Sequence, residues 1–94
     1  MWSSNFQVEY RQLFLKDLKK LRKQPIYERL VELAFETLPL AANLDDLSNI
    51  KAMKGYPNRY RIRVGDYRIG IEVRGDKVEM MRVLHRRDFY RYFP

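Results

Sequence analysis

The feature that most constrains this chain is a period-two run in its second half. Tyr60, Ile62 and Val64 alternate with Arg59, Arg61 and Arg63, and beyond Gly65-Asp66 the alternation resumes through Tyr67, Ile69, Ile71 and Val73. A helix would repeat its apolar stripe about every 3.6 residues, so this pattern predicts two strands joined by a tight turn. With Gly65-Asp66 as a two-residue turn, Val64 pairs with Tyr67, Arg63 with Arg68, and Ile62 with Ile69. Tyr60, Ile62, Val64, Tyr67, Ile69 and Ile71 then form a face for burial, and Arg61, Arg63 and Arg68 share the other.

An arginine directly opposite an arginine costs a sheet from a few tenths to about 1 kcal/mol. An anion held between them reverses the sign, so the register suggests a phosphate site, with Gly70 expected to leave room beside it. The structural alternative has Arg63 splaying toward Asp66 or Glu72 as an ordinary surface cation. It accounts for one arginine better than for three.

Phe6, Val8 and Tyr10 alternate with Asn5, Gln7 and Glu9, which predicts a short first strand. Phe14, Leu18 and Leu21 recur at helical spacing and predict a helix over 12–23 with a basic, solvated side. Pro25 suits the first position of a second helix, where its missing N–H is no loss, and the stripe Ile26, Leu30, Leu33 and Thr37/Leu38 runs to Pro39. Polar residues over 39–49 read as a connection with room for one short helical turn. A second turn at Arg74-Gly75-Asp76-Lys77 leads into Val78–Leu84, whose run Met80-Met81-Arg82-Val83-Leu84 does not alternate cleanly and leaves room for a bulge. Residues 86–92 read as a short helical or irregular end. The order β-α-α-β-β-β implies an α+β fold, a helical hairpin covering one face of a small antiparallel-rich sheet whose opposite face stays open.

Ninety-four residues, 46% of them hydrophobic, suffice for one domain over 1–94. The chain has no cysteine and one histidine, His85, so neither disulfides nor a metal cluster is expected, and no cofactor. Met1–Asn5 lacks a basic segment leading into an apolar stretch, and no run could span a bilayer, so a cytoplasmic protein without a membrane partner is expected. Residues 1–50 hold seven basic and seven acidic side chains, whereas residues 51–94 hold twelve and five, so the net +7 belongs to the second half. Nine of those twelve cations are arginine, the side chain whose fork matches phosphate. A polyanionic partner follows: nucleic acid, an acidic protein or an anionic surface.

The block Tyr60-Arg61-Ile62-Arg63-Val64-Gly65-Asp66-Tyr67-Arg68-Ile69, followed by His85-Arg86-Arg87-Asp88-Phe89-Tyr90-Arg91, resembles the RelE/ParE superfamily of toxins, and its RelE-like branch in particular. Met53-Lys54-Gly55 is similar to that family's Leu-Lys-Gly element. The resemblance implies a type II toxin that cuts messenger RNA at the ribosome without a metal and is held inactive by a small antitoxin with an acidic binding segment. Carried over by motif, Arg68 and Arg86 would stabilise charge on the phosphate, and Arg61 and Arg63, with Lys54 and Arg87, would hold RNA. Tyr90 or His85 would be the base. A phenol serves as a base at neutral pH only where cations favour phenolate, whereas imidazole titrates near neutrality. Some RelE-like toxins carry lysines where this chain has Arg61 and Arg63, and arginine does not readily release a proton. The spacing from Arg86 to Tyr90 is shorter than in some members, which leaves Tyr92 as a second candidate phenol, and packing among Phe89, Tyr92 and Phe93 as another reading of Tyr90. Two further functions remain open at this point: a ParE-like inhibitor of DNA gyrase without nuclease activity, and a catalytically dead binding module.

Overall fold

The computed structural model describes residues 6–94. Strand β1 (Gln7–Tyr10) is followed by helix α1 (Gln12–Lys20) and then by a second helix assembled from three stretches. These are α2 (Tyr27–Glu32), a wider π-helical Leu33–Thr37, and α3 (Leu38–Leu40), which carries Pro39 in its first turn. Proline offers no N–H to the carbonyl a turn behind it, and the helix widens just ahead of Pro39. Within the widened stretch the Ala34 carbonyl accepts a 2.8 Å hydrogen bond from the Tyr10 hydroxyl, which ties the helix to β1. Asn5, expected on the polar side of the first strand, lies outside the described residues.

A 3-10 turn (Leu44–Asp46) precedes β2 (Ile50–Ala52), β3 (Arg59–Val64), β4 (Tyr67–Arg74), β5 (Lys77–His85) and the C-terminal helix α4 (Arg86–Tyr92). The sheet has five strands in the order β1-β5-β4-β3-β2, with β1 parallel to β5 and the other neighbours antiparallel. The α+β class and the helical layer on one face agree with the sequence reading. Strand β2 is additional: it falls inside the stretch between the second helix and the arginine strand, and it places Lys51 opposite Arg61.

The hairpin register is as read, with Val64 opposite Tyr67, Arg63 opposite Arg68 and Ile62 opposite Ile69. Gly65 turns the chain at φ 57°, a left-handed conformation that glycine adopts without a Cβ clash. Between β4 and β5, Gly70 pairs with Arg82 and Ile71 with Met80, so Met81 is the extra residue of a bulge. The bulge changes which residues face inward. Val78 and Met80 are buried with the main core before it, Val83 after it, and Met81 turns to the other face.

That other face is not open, contrary to the sequence reading. The helix α4 folds back across it, and Phe89 and Phe93 bury themselves against Met81, Met53 and Leu84. Gly70 makes this possible: a Cβ there would stand 2.7–2.8 Å from three atoms of the Phe93 ring. The room at Gly70 is taken by an aromatic ring, not by an anion.

Candidate functional site

Ion pairing divides the sheet into two ends. At the end where β3 starts and β4 finishes, Glu72 accepts from Arg59 (3.1 Å) and Arg74 (2.7 Å), Glu79 meets Arg11 (2.9 Å) and Glu9 meets Lys77 (3.7 Å). These contacts hold the Glu72 carboxyl below its ordinary range, Arg74 first and Arg59 after it. At the hairpin end, Arg61, Arg63 and Arg68 have no carboxylate within ion-pair distance among the described residues. Neither Asp66 nor Glu72 captures Arg63, which reaches the amide oxygen of Asn49 at 3.3 Å instead.

Arg68 folds back over the turn, donating to the carbonyls of Gly65 (2.9 Å) and Tyr67 (3.0 Å). Arg86 approaches the same turn from α4. Its backbone N–H donates to the Asp66 carbonyl at 2.8 Å, and its guanidinium lies 3.8 Å from the exposed Asp66 carboxylate. Arg63, Arg68 and Arg86 are therefore gathered around one turn, with Arg61 two residues back along β3. Lys51, which no sequence signal singled out, joins this face because β2 pairs it with Arg61.

The helix α4 carries its side chains in three directions. Phe89 and Phe93, one turn apart, meet the sheet. Tyr92 leaves on one flank, with the Arg82 guanidinium 5.6 Å from its ring centre and that of Arg91 at 5.9 Å. Helical geometry sends Tyr90 and Arg86, four residues apart, out on the opposite flank. Tyr90 is 59% exposed, touching the Phe89 ring edge-on at 5.0 Å. The candidate phenols are thus separated: Tyr92 is engaged by cations at the β5 edge, and Tyr90 stands with Arg86.

The remaining candidates lie apart from this cluster. His85 is opposite Tyr67, on the face packed against α1 and α2 and away from α4, and meets that ring edge-on at 5.2 Å. Its Nδ1 accepts the Arg87 backbone N–H at 3.1 Å and caps α4. Arg87 is exposed on α4, and Lys54 sits in the β2–β3 connection at the ion-paired end, away from the hairpin turn. Among the described residues, no three His, Cys, Asp or Glu side chains gather as metal ligands would.

The model of the ParE toxin family of type II toxin-antitoxin systems, parDE, matches residues 8–90. Toxin RelE3 of Methanocaldococcus jannaschii is 47% identical over 88 residues, which span 93% of this chain and 98% of that protein. The toxin–antitoxin complex RelB-RelE from Methanococcus jannaschii matches in structure with a TM-score of 0.72 and 46% identity, over 92% of this chain and 99% of that one. RelBE2 from Mycobacterium tuberculosis follows at TM-score 0.67 and 25% identity, over 86% and 91%. A family match over most of the length and a relative at this identity place the chain plainly: it belongs to the ParE toxin family of type II toxin-antitoxin systems, within the RelE/ParE superfamily.

Proposed function

We propose that this protein is a RelE-like toxin that cuts messenger RNA at the ribosome and is neutralised by a cognate antitoxin. The observation that carries the reading is the group of arginines at the hairpin end, Arg61, Arg63 and Arg68, which lack carboxylate partners among the described residues, with Arg86 of α4 held at the same turn. Its similarity to a protein named as a RelE toxin, and to one solved with RelB, supports the same reading.

In the reaction, the ribose 2′-oxygen attacks the adjacent phosphorus. The O2′–P bond forms as the P–O5′ bond breaks, leaving a cyclic phosphate and a free 5′-hydroxyl. Charge accumulates on the non-bridging oxygens, where Arg68 and Arg86 act as paired forks, while Arg61, Arg63 and Lys51 hold the strand. Tyr90 accepts the 2′-OH proton on its phenolate oxygen, the form that neighbouring cations favour. The departing 5′-oxygen takes its proton from solvent, since the arginines remain charged. His85 keeps its Nδ1 lone pair on the Arg87 N–H and serves as the cap of α4. No metal is assigned a part in this scheme.

The test is in vitro translation with purified ribosomes, followed by mapping of messenger 5′ ends. The reading requires new ends at ribosome-occupied codons, their loss in Arg68→Ala and Arg86→Ala, and protection by the co-encoded antitoxin. The matched family model bears the ParE name, which favours a second reading as a gyrase inhibitor. That reading requires trapped DNA breaks in a gyrase assay with messages left intact.

A further inference from the structure

Asp17 of α1 is a buried charge, 6% exposed, that the proposed chemistry does not use. Its carboxylate takes a two-pronged grip on Arg82, from Nε at 2.7 Å and from the terminal nitrogen at 3.0 Å, and accepts the Val83 backbone N–H at 3.1 Å. The grip sits just after the Met81 bulge, beyond the point where β1 stops pairing with β5. The Arg82 guanidinium, fixed in this way, also faces the ring of Tyr92 on α4.

The helix α4 needs such a contact. Its apolar anchors, Phe89 and Phe93, lie along one line of the helix surface, so these two contacts by themselves oppose rotation about that line least. The His85 cap and the Arg86 N–H bond to Asp66 hold only its first turn. A rotation of about 20° shifts a point on the surface of a helix about 10–12 Å across by roughly 2 Å. Displacements of that size at reacting groups can cost on the order of a hundredfold in rate. Tyr92 lies off the anchor line, where a contact resists this rotation.

We infer that Arg82, oriented by Asp17, is a positioning residue that fixes the rotation of α4 through the Tyr92 ring and so sets where Tyr90 and Arg86 stand beside the hairpin arginines. The inference rests on the nuclease reading for its effect on rate, and on the clamp's geometry for its effect on the helix. It assigns Tyr92 a ring contact with the cation and gives its hydroxyl no role.

The test uses the full chain with programmed ribosomes under single-turnover conditions, comparing wild type with Tyr92→Phe, Tyr92→Leu and Arg82→Lys. Tyr92→Phe keeps the ring and should cleave within about twofold of wild type, whereas Tyr92→Leu and Arg82→Lys should slow cleavage by about tenfold or more. Ribosome affinity should change by less than about twofold in all three, because none of these side chains belongs to the arginine cluster. Should Arg82→Lys fail to fold, the two Tyr92 variants still decide, since both leave the Asp17–Arg82 pair in place. An equal loss in Tyr92→Phe and Tyr92→Leu overturns the inference in favour of a reacting hydroxyl, and wild-type rates in Tyr92→Leu overturn it outright. If wild-type protein cuts no messenger, the nuclease reading fails and amide exchange judges the clamp alone. Faster exchange across residues 89–93 in Tyr92→Leu but not in Tyr92→Phe, with β3–β5 unchanged, supports it, and equal exchange in all three proteins overturns it.

Discussion

At the scale of single residues, Arg63 and Arg68 are where the proposed function opposes stability. They face each other across the β3–β4 hairpin with no carboxylate within ion-pair distance of either among the described residues. Replacing Arg63 with Thr should therefore stabilise the fold by a few tenths to about 1 kcal/mol in urea denaturation. The same variant should bind RNA more weakly, with a salt dependence shallower by about one phosphate contact. The pairing was legible because a two-residue turn fixes register outward from itself. The occupant of the space at Gly70 was not legible, because it arrives from Phe93, more than twenty residues further along the chain. Gly70→Ala should cost about 1–3 kcal/mol by crowding that ring. Combined with Phe93→Ala, it should cost less than the two single changes added together, as neighbours sharing one space do.

At the scale of elements, strands β3 and β4 and the first helices announced themselves through their periods, whereas β2 did not. Three residues, Ile50–Ala52, are too few to display an alternation, so Lys51 was missed along with the strand that places it. The C-terminal segment was legible as an element but its docking was not, and the docking decides the site: it sends Tyr92 to one flank and Tyr90 to the other and leaves His85 facing the helical layer. Motif matching alone could not separate these three. The Asp17–Arg82 pair is the other contact that only the fold reveals, since it joins positions 65 residues apart. It raises the pKa of the Arg82 guanidinium above its ordinary value, chiefly through the hydrogen bond the guanidinium donates to Asp17. Asp17→Asn should cost on the order of 3 kcal/mol in denaturation, since it leaves a largely buried guanidinium facing a neutral amide.

At the scale of the whole molecule, the carboxylates of the sheet gather at the end away from the proposed site. Glu72 has its folded-state carboxyl lowered by Arg74 and Arg59, so its contribution to stability is present above the ordinary carboxylate range and is lost as pH falls through the lowered value. Melting temperature should drop on acidification through that window, and Glu72→Gln should be less stable at neutral pH while losing less on acidification. The two ends of the sheet also make that sheet electrically lopsided, nearly neutralised at one end and strongly positive at the hairpin turn. In the field of a polyanion such a body experiences a torque as well as an attraction. It is turned with the hairpin leading before any contact forms, so part of the search for the productive orientation is completed during approach.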